Sequence, residues 1–367
     1  MGEDFEMTEH YMLREIREQP AALGRILDET WPKVQSMARA VFKNHHPRTF
    51  YLTGCGSSYY AAMIPAHYFA YSLGLDGRAV PSSEFVWYAP GPEDCSPLLI
   101  SLSRSGRTSE SVEAIRKAVK LRVPTIAVTS DPRSTMSEEC DYSLDTGVPT
   151  DQSVIMTKTF TGGALTATLL GLEFSKAQGL PTLARFEEEL THLRVDAEKI
   201  ISSVEDQAKS RANSTKAERF IYLGSGGNYG SCLEGALKLR ETSYAASECY
   251  HTMEFRHGPF AELERGIQVI PIIPKGQNVH ENLTLLKEIA ATGASLVPIS
   301  NEPEVIRAYE ETIIMPDSIG SEFAPILYMI PLQLFAYYYA AKKGRNPDEP
   351  RNLTKFVTTE IKPHDQA

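Results

Sequence analysis

At 367 residues, 42% of them hydrophobic, the chain is long and apolar enough for two domains with a core each. Its formal net charge of -10, with no clustering of Lys and Arg, excludes nucleic acid as the main partner, because binding a phosphate backbone needs a basic face. The cysteines (Cys55, Cys95, Cys140, Cys232 and Cys249) are odd in number and hold no C-x-x-C pair, which favours neither disulfides nor a zinc site and points to reduced thiols in a cytoplasmic protein.

Residues 1–40 read as helices that precede the first domain. Their opening, MGEDFEMTEHYMLREIREQP, is charged and lacks the apolar core of a secretory signal, and Glu6 stands where a myristoylation motif has Ser or Thr. From about residue 41, short runs rich in Val, Ile and Leu alternate with amphipathic stretches such as TSESVEAIRKAVKL. That is the pattern of parallel strands covered by helices on both faces.

The first apolar run, TFYL, passes through Gly54, Cys55 and Gly56 into the helical segment SSYYAAMIPAHYFAYSLGL. Glycines at a strand-to-helix junction free backbone N-H groups to bind an anion at the positive end of a helix dipole. Any parallel sheet also needs such turns, so this loop alone leaves phosphate cradle and plain turn both open. A second run ends in SLSRSGRTSES (101–111) and enters another helix with Ser103, Ser105, Gly106 and Thr108. Hydroxyls and N-H groups there suit a phosphate monoester, and a helix cap closed by Glu110 is the structural alternative. Two such loops in one half tip the balance toward a phosphate held between them.

The chain then repeats itself. Gly54, Gly56 and Tyr59 recur as Gly224, Gly226 and Tyr229, in each case 170 residues on. Glu84 and Phe85 recur as Glu254 and Phe255, Gly106 as Gly276, and IAVTS from Ile126 falls on LVPIS from Leu296. One register held this long predicts a duplicated α/β domain: a first domain over 41–175, a charged helical connection over 176–212 and a second domain over 213–345. Each is expected to be a doubly wound, mainly parallel sheet flanked by helices, with ligands at the carboxyl ends of the strands.

In the second half, CLEGALKLRETSY spaces Glu234, Lys238 and Glu241 along one face of a helix. A solvent-facing ion-pair stripe is the bland explanation. Against it, Glu248, Glu254 and His257 follow closely, and a carboxylate beside a histidine is what proton transfer in a sugar requires; His251 competes with His257 for that part. The run APILYMIPLQLFAYYYAAKK, interrupted by Pro325, Pro331 and Gln333, reads as a buried helix and not a membrane span. The tail, 346–367, contains EPRNLTKFVTTE, either an ordinary chain end or a strap whose Lys355 reaches a neighbouring pocket.

Taken in order, HYMLREIREQP, GCGSSYYA, SEF, SLSRSGRTSES, TKTFTGG, LEGALKLRETSY, EFRHGPFA and PRNLTKFVTTE make the chain resemble the sugar isomerase (SIS) domain family along nearly its whole length. Within that family it is similar to the isomerase half of glutamine-fructose-6-phosphate aminotransferase. The resemblance implies two tandem SIS domains of flavodoxin-like architecture and a sugar 6-phosphate held by Ser58, Ser103, Arg104, Ser105 and Thr108. The pocket is opened by Cys55 and Gly56, with Ser57 and Val154 on its wall. By the same matching, Glu241 is the base that moves a proton between C1 and C2, and Lys355 lies beside the sugar. Lys238 and Glu234 line the site. His257 is the ring-opening histidine, donated by a neighbouring subunit, so a homodimer with a shared active site and a tail reaching into it is implied. The family's chemistry uses no metal and no organic cofactor.

Departures from the family pattern bear on the reaction. The chain begins directly before the sugar domain, with no glutaminase segment, so glutamine-driven synthesis is not expected unless another polypeptide supplies ammonia. Arg104 and Arg107 stand in place of the Gln and Glu of SQSGET, and Met156 in place of a small serine, which makes the arginines candidates to read a second anionic group. The expected activity is that of a deaminase converting glucosamine 6-phosphate to fructose 6-phosphate and ammonia. A deglycase of fructosamine 6-phosphate amino-acid adducts, its arginines on the carboxylate, is the alternative. A non-catalytic sugar-phosphate sensor is a third, disfavoured by the presence of Glu241, His257 and Lys355 together.

Overall fold

The computed structural model describes residues 9–88, 96–181, 184–276 and 278–359; Cys95 and the two chain ends lie outside them. Its framework is a pair of parallel sheets. The first contains β1 (Thr49–Gly54), β2 (Asp76–Pro81), β3 (Pro97–Ser103), β4 (Thr125–Thr129) and β5 (Tyr142–Asp145), in the spatial order β2-β1-β3-β4-β5. The second contains β6 (Arg219–Gly224), β7 (Ala246–His251), β8 (Ile267–Ile273), β9 (Ser295–Leu296), β10 (Ile299–Ser300) and β11 (Ile313–Ile314). Here the order is β7-β6-β8-β10-β11, with β9 beside the start of β8. The strand order reverses between β1 and β3, and again between β6 and β8, the switch points at which doubly wound sheets take ligands.

The duplication holds strand by strand. β1, β2 and β3 begin and end 170 residues before β6, β7 and β8 respectively. β9 and β10 together take the place of β4, separated at Pro298, which has no N-H to give the ladder. SEFVWY forms the helix Ser82–Tyr88, whereas MEFRH yields only the 3₁₀ turn Glu254–Arg256, because Gly258 (φ 120°) and Pro259 end it.

Burial follows from the apolar runs. Every residue of β1 and of β8 is buried, as expected of central strands covered on both faces, and the edge strand β2 exposes Asp76 and Arg78. Helix Lys158–Ala177, buried along most of its length, packs on Trp31–His45 and Ser57–Tyr71. Helix Met329–Lys342 is buried against Ala184–Ser214 and Asn228–Ser243, so the apolar run near residue 324 is a core element. Among the described residues no helix is long and apolar enough to cross a membrane.

The two halves meet where helix Ser57–Tyr71 packs on helix Asn228–Ser243. They approach so closely that a Cβ at Gly230 would stand 3.0 Å from the Tyr60 carbonyl oxygen. This contact carries Lys238 and Glu241 of the second half to the first glycine loop of the first half.

Candidate active site

The carboxyl ends of β1 and β3 open on a cavity of about 260 Å³. At the end of β1, Gly54 passes so near the following helix that a Cβ would lie 2.5 Å from the backbone of Ser58. Gly56 has φ 52° and ψ -124°, a conformation that side chains disfavour. These glycines let helix Ser57–Tyr71 start directly at the strand end, and no side chain caps it.

β3 ends in the second loop. The Ser103 hydroxyl oxygen accepts the Gly106 N-H (3.0 Å) and the Ser105 hydroxyl oxygen accepts the Arg107 N-H (3.2 Å). Both bonds fix the loop, and both leave the hydroxyl hydrogens to donate elsewhere. Thr108 precedes helix Ser109–Lys120 in the capping position, yet its side chain makes no capping bond, and Oε2 of Glu110 is buried without a hydrogen bond. The capping explanation therefore does not account for Thr108, which lies on the cavity wall with Ser57, Ser58, Ser103, Arg104 and Ser105. Hydroxyl donors beside two helix starts match the acceptor oxygens of a phosphate monoester.

Helix Asn228–Ser243 supplies the facing wall through Lys238 and Glu241. Its charged stripe is not solvent-facing: the Lys238 side chain is 1% exposed. Its ammonium donates to the Ser57 hydroxyl (3.1 Å) and to Glu241 (2.5 Å), and stands 3.1 Å from Glu234. Burial pulls the Lys238 ammonium down, but Glu234 and Glu241 together outweigh it and the net direction is up. Glu234, fully buried one turn deeper, does not reach the cavity wall. Burial first, and Glu241 after the opposing Lys238, push its carboxyl up to about 7. Glu241 is the nearer of the two carboxylates to the Lys238 ammonium, and at 18% exposed it faces the cavity.

The tail crosses the mouth of the cavity through residues 353–357. Arg104 donates to the carbonyl of Val154 (2.9 Å) and to that of Lys355 (2.6 Å), and the Lys355 ammonium rests on the Asp151 carbonyl (3.1 Å). Val154 and Lys355 thus join Cys55, Gly56, the serines, Thr108, Lys238 and Glu241 around one space.

Other predicted residues are not brought there. His257, exposed after its 3₁₀ turn, is not on the cavity wall of its own chain, nor are the exposed Glu248 and Glu254. His251 stacks on Tyr229 at 3.6 Å. Arg107 turns away and pairs with Asp131 (2.8 Å) and the Arg133 carbonyl (3.2 Å). The two arginines therefore do not form a joint anion reader.

Two acidic residues escaped the sequence reading. Glu15, fully buried, accepts the N-H groups of Gln152 and Ser153, and Asp151 accepts the hydroxyls of Thr157 and Thr159. Together they hold the loop that carries Val154. Burial first, and Asp151 second, push the Glu15 carboxyl up to about 7. The available signal was the position of Glu15 on the apolar stripe of Met12, Leu13 and Ile16; Gln152 lies 137 residues away, beyond any local spacing rule.

Two stretches of the chain, residues 45–170 and 215–343, match the SIS domain. The chain belongs to the SIS family. This SIS protein is 32% identical over 362 residues to glutamine-fructose-6-phosphate aminotransferase (isomerizing) of Gloeobacter violaceus, covering 96% of its own length and 59% of that protein. It is also 32% identical over 355 residues to the protein of the same name from Pyrococcus horikoshii, covering 96% and 58%. The SIS protein thus spans about three-fifths of the length of the curated relatives it matches. Among solved structures it is similar to the C-terminal domain of glucosamine-fructose-6-phosphate aminotransferase from Francisella tularensis, with 27% identity, a TM-score of 0.83 and coverage of 94% and 99%. It is also similar to glucosamine-6-phosphate deaminase from Thermotoga maritima, with 26% identity, a TM-score of 0.75 and coverage of 95% and 99%.

Proposed function

We propose that this SIS protein is a cytoplasmic aldose-ketose isomerase for an amino sugar 6-phosphate, and that it converts glucosamine 6-phosphate and water to fructose 6-phosphate and ammonia. One observation carries the reading: Glu241 opens on the same cavity as both hydroxyl-bearing loops, so a base and a phosphate cradle face one ligand. The likeness to the aminotransferases' isomerase portion and to a deaminase supports it.

In this reading Ser58, Ser103, Ser105 and Thr108 donate to the phosphate at two helix starts. Cys55, Gly56 and Ser57 form the floor, and Val154 the rim. His257 of the partner subunit opens the sugar ring in a homodimer with a shared site. Glu241 then takes the C2 proton and returns it to C1, so the aldehyde becomes the C1 hydroxyl and the C2 amine becomes an imine. Water adds to C2 and ammonia leaves, giving the ketone. Lys238 holds the Glu241 carboxylate in place, with Glu234 behind it, and Lys355 serves the sugar oxygens. The deglycase alternative asked for arginines on an amino-acid carboxylate. Arg107 is engaged with Asp131 and Arg104 with two carbonyls, so that support is gone.

The purified protein is expected to release ammonia from glucosamine 6-phosphate, with fructose 6-phosphate formed in equal amount. Glu241→Gln is expected to lower kcat by about 10²- to 10⁴-fold while calorimetry still detects binding of fructose 6-phosphate. Ammonia absent but amino acid freed from a fructosamine 6-phosphate adduct would move the assignment to deglycase, and binding without turnover of either would make it a sensor. Loss of binding together with turnover in Glu241→Gln would overturn the role of base.

A further inference from the structure

We infer that Arg104 is a positioning residue: its guanidinium pins the backbone of the tail across the cavity so that Lys355 is presented to the ligand, and it is not itself an anion reader. The inference rests on the reading of the cavity as a sugar-phosphate site.

Lying between Ser103 and Ser105, Arg104 occupies a place from which a cation would be expected to meet a phosphate. The geometry gives it another task. The residue is 7% exposed, and its planar fork spans two carbonyls from separate segments, Val154 at 2.9 Å and Lys355 at 2.6 Å. Its own backbone is held as well, since its carbonyl accepts the Thr129 hydroxyl (3.2 Å) and the Ser130 N-H (3.3 Å). An arginine fixed at both ends is a strut.

The tail needs one. Leu353, Phe356 and Val357 are 42%, 41% and 52% exposed, so no buried apolar side chain among them anchors this stretch. Hydrogen bonds hold it instead. The Ser109 N-H donates to the Val357 carbonyl (3.2 Å) and the Thr359 N-H to the Ser109 hydroxyl (2.8 Å), both near the surface, whereas the two Arg104 bonds are charge-assisted and partly buried. Arg104 and Ser109 also bracket the loop whose hydroxyls face the cavity. A phosphate seated on Ser103, Ser105 and Thr108 would stiffen the same loop that grips the tail, so ligand and tail are expected to order one another. Lys355 itself rests on the Asp151 carbonyl, and with its backbone pinned only the side chain has to turn to meet a sugar.

The test combines hydrogen exchange of the tail amides in the full chain, with and without fructose 6-phosphate, and steady-state kinetics. In the unsubstituted protein the ligand is expected to slow exchange over residues 351–359, where the Arg351 N-H donates to the Tyr244 hydroxyl (3.0 Å) and the Thr359 N-H to the Ser109 hydroxyl (2.8 Å). Arg104→Ala should speed that exchange by about tenfold or more and lower kcat/KM by about ten- to a hundredfold, from the loss of bonds made by a charged donor. Lys355→Ala added to it should cost little further, because both changes remove one device. Arg104→Lys keeps the charge but not the fork, and should not restore activity. Arg104→Gln, which retains one donor, serves the same comparison if the alanine variant does not fold. Unchanged tail exchange in Arg104→Ala with a raised KM, or losses that multiply with those of Lys355→Ala, would overturn the inference and make Arg104 a direct ligand contact. If the unsubstituted protein turns over no sugar phosphate, the proposed function fails, while the exchange arm still decides whether Arg104 holds the tail.

Discussion

Glu15 shows at the scale of one residue how burial and hydrogen bonding compete. Its carboxylate serves the Gln152 and Ser153 N-H groups behind the cavity wall, yet burial first, and Asp151 second, lift it from 4.5 to about 7. Below pH about 4.5 the group is protonated in both folded and unfolded chains; between about 4.5 and 7 only the unfolded chain releases the proton, so stability falls as pH rises through that window and levels off above it. The displacement corresponds to on the order of 3 kcal/mol. Glu234, also lifted to about 7, adds a slope of the same sign. Glu15→Gln is therefore expected to show a shallower loss of unfolding free energy between pH 5 and 7 in denaturant titrations; slopes that coincide with those of the unsubstituted protein would refute the assignment. Ser103, Ser105, Thr108, Lys238 and Glu241 were legible because strand ends and helical spacing announce them. Glu15 is satisfied by N-H groups 137 and 138 residues away, partners that only the tertiary fold supplies, and Asp151 by the Thr157 and Thr159 hydroxyls a short way along the chain.

At the scale of elements, close approach decides what a helix tolerates. In an exposed helix Gly→Ala gains up to about 1 kcal/mol. Helix Lys158–Ala177 offers both outcomes. At Gly171 a Cβ would fall 2.1 Å from Cε1 of Phe69, a fully buried ring packed edge-on against Phe50 at 5.3 Å, so there is nowhere for it to move. At Gly163 the nearest atom to a Cβ is Leu102 Cδ2 at 4.0 Å. Gly171→Ala is expected to destabilise by about 1–3 kcal/mol through overpacking, and Gly163→Ala to be neutral or stabilising, both read by thermal melting. Equal shifts in the two variants would mean that helix propensity and not the Phe69 contact governs this helix. The strands were readable from sequence because the constant spacing of the repeat dates every element of one half from the other. The split of β9 from β10 and the shortening of one helix to a 3₁₀ turn were not, since the first turns on the donor missing at Pro298 and the second on Gly258 and Pro259 together, and the repeat spacing carries neither.

Across the whole molecule the duplication is asymmetric in chemistry. At the positions matching Glu234, Lys238 and Glu241 the first half carries Ile64, Tyr68 and Tyr71, and the His67 ring lies 3.1 Å from where a Cβ of Gly226 would stand. The second glycine loop thus faces the His67 ring instead of a lysine-carboxylate pair, so the fold is present in both copies while Lys238 and Glu241 have no counterpart in the first. Among the described residues that line this cavity there is no histidine, whereas the proposed reaction needs a group to open the ring. Exposed His257 is proposed to supply it across a two-fold interface, which makes the site a property of the dimer. Glu241→Gln and His257→Asn should each abolish most deaminase activity alone, because every site in either homodimer lacks one group. In a mixed dimer one pocket combines an intact Glu241 with the intact His257 of the partner subunit. Coexpression of the two variants should then recover about a quarter of the unsubstituted activity, since with random pairing about half the dimers are mixed and each has one whole site. Mixed dimers that form, as counted by native mass spectrometry, yet stay inactive would place His257 outside the shared site and require the ring-opening group to come from the chain that holds Glu241.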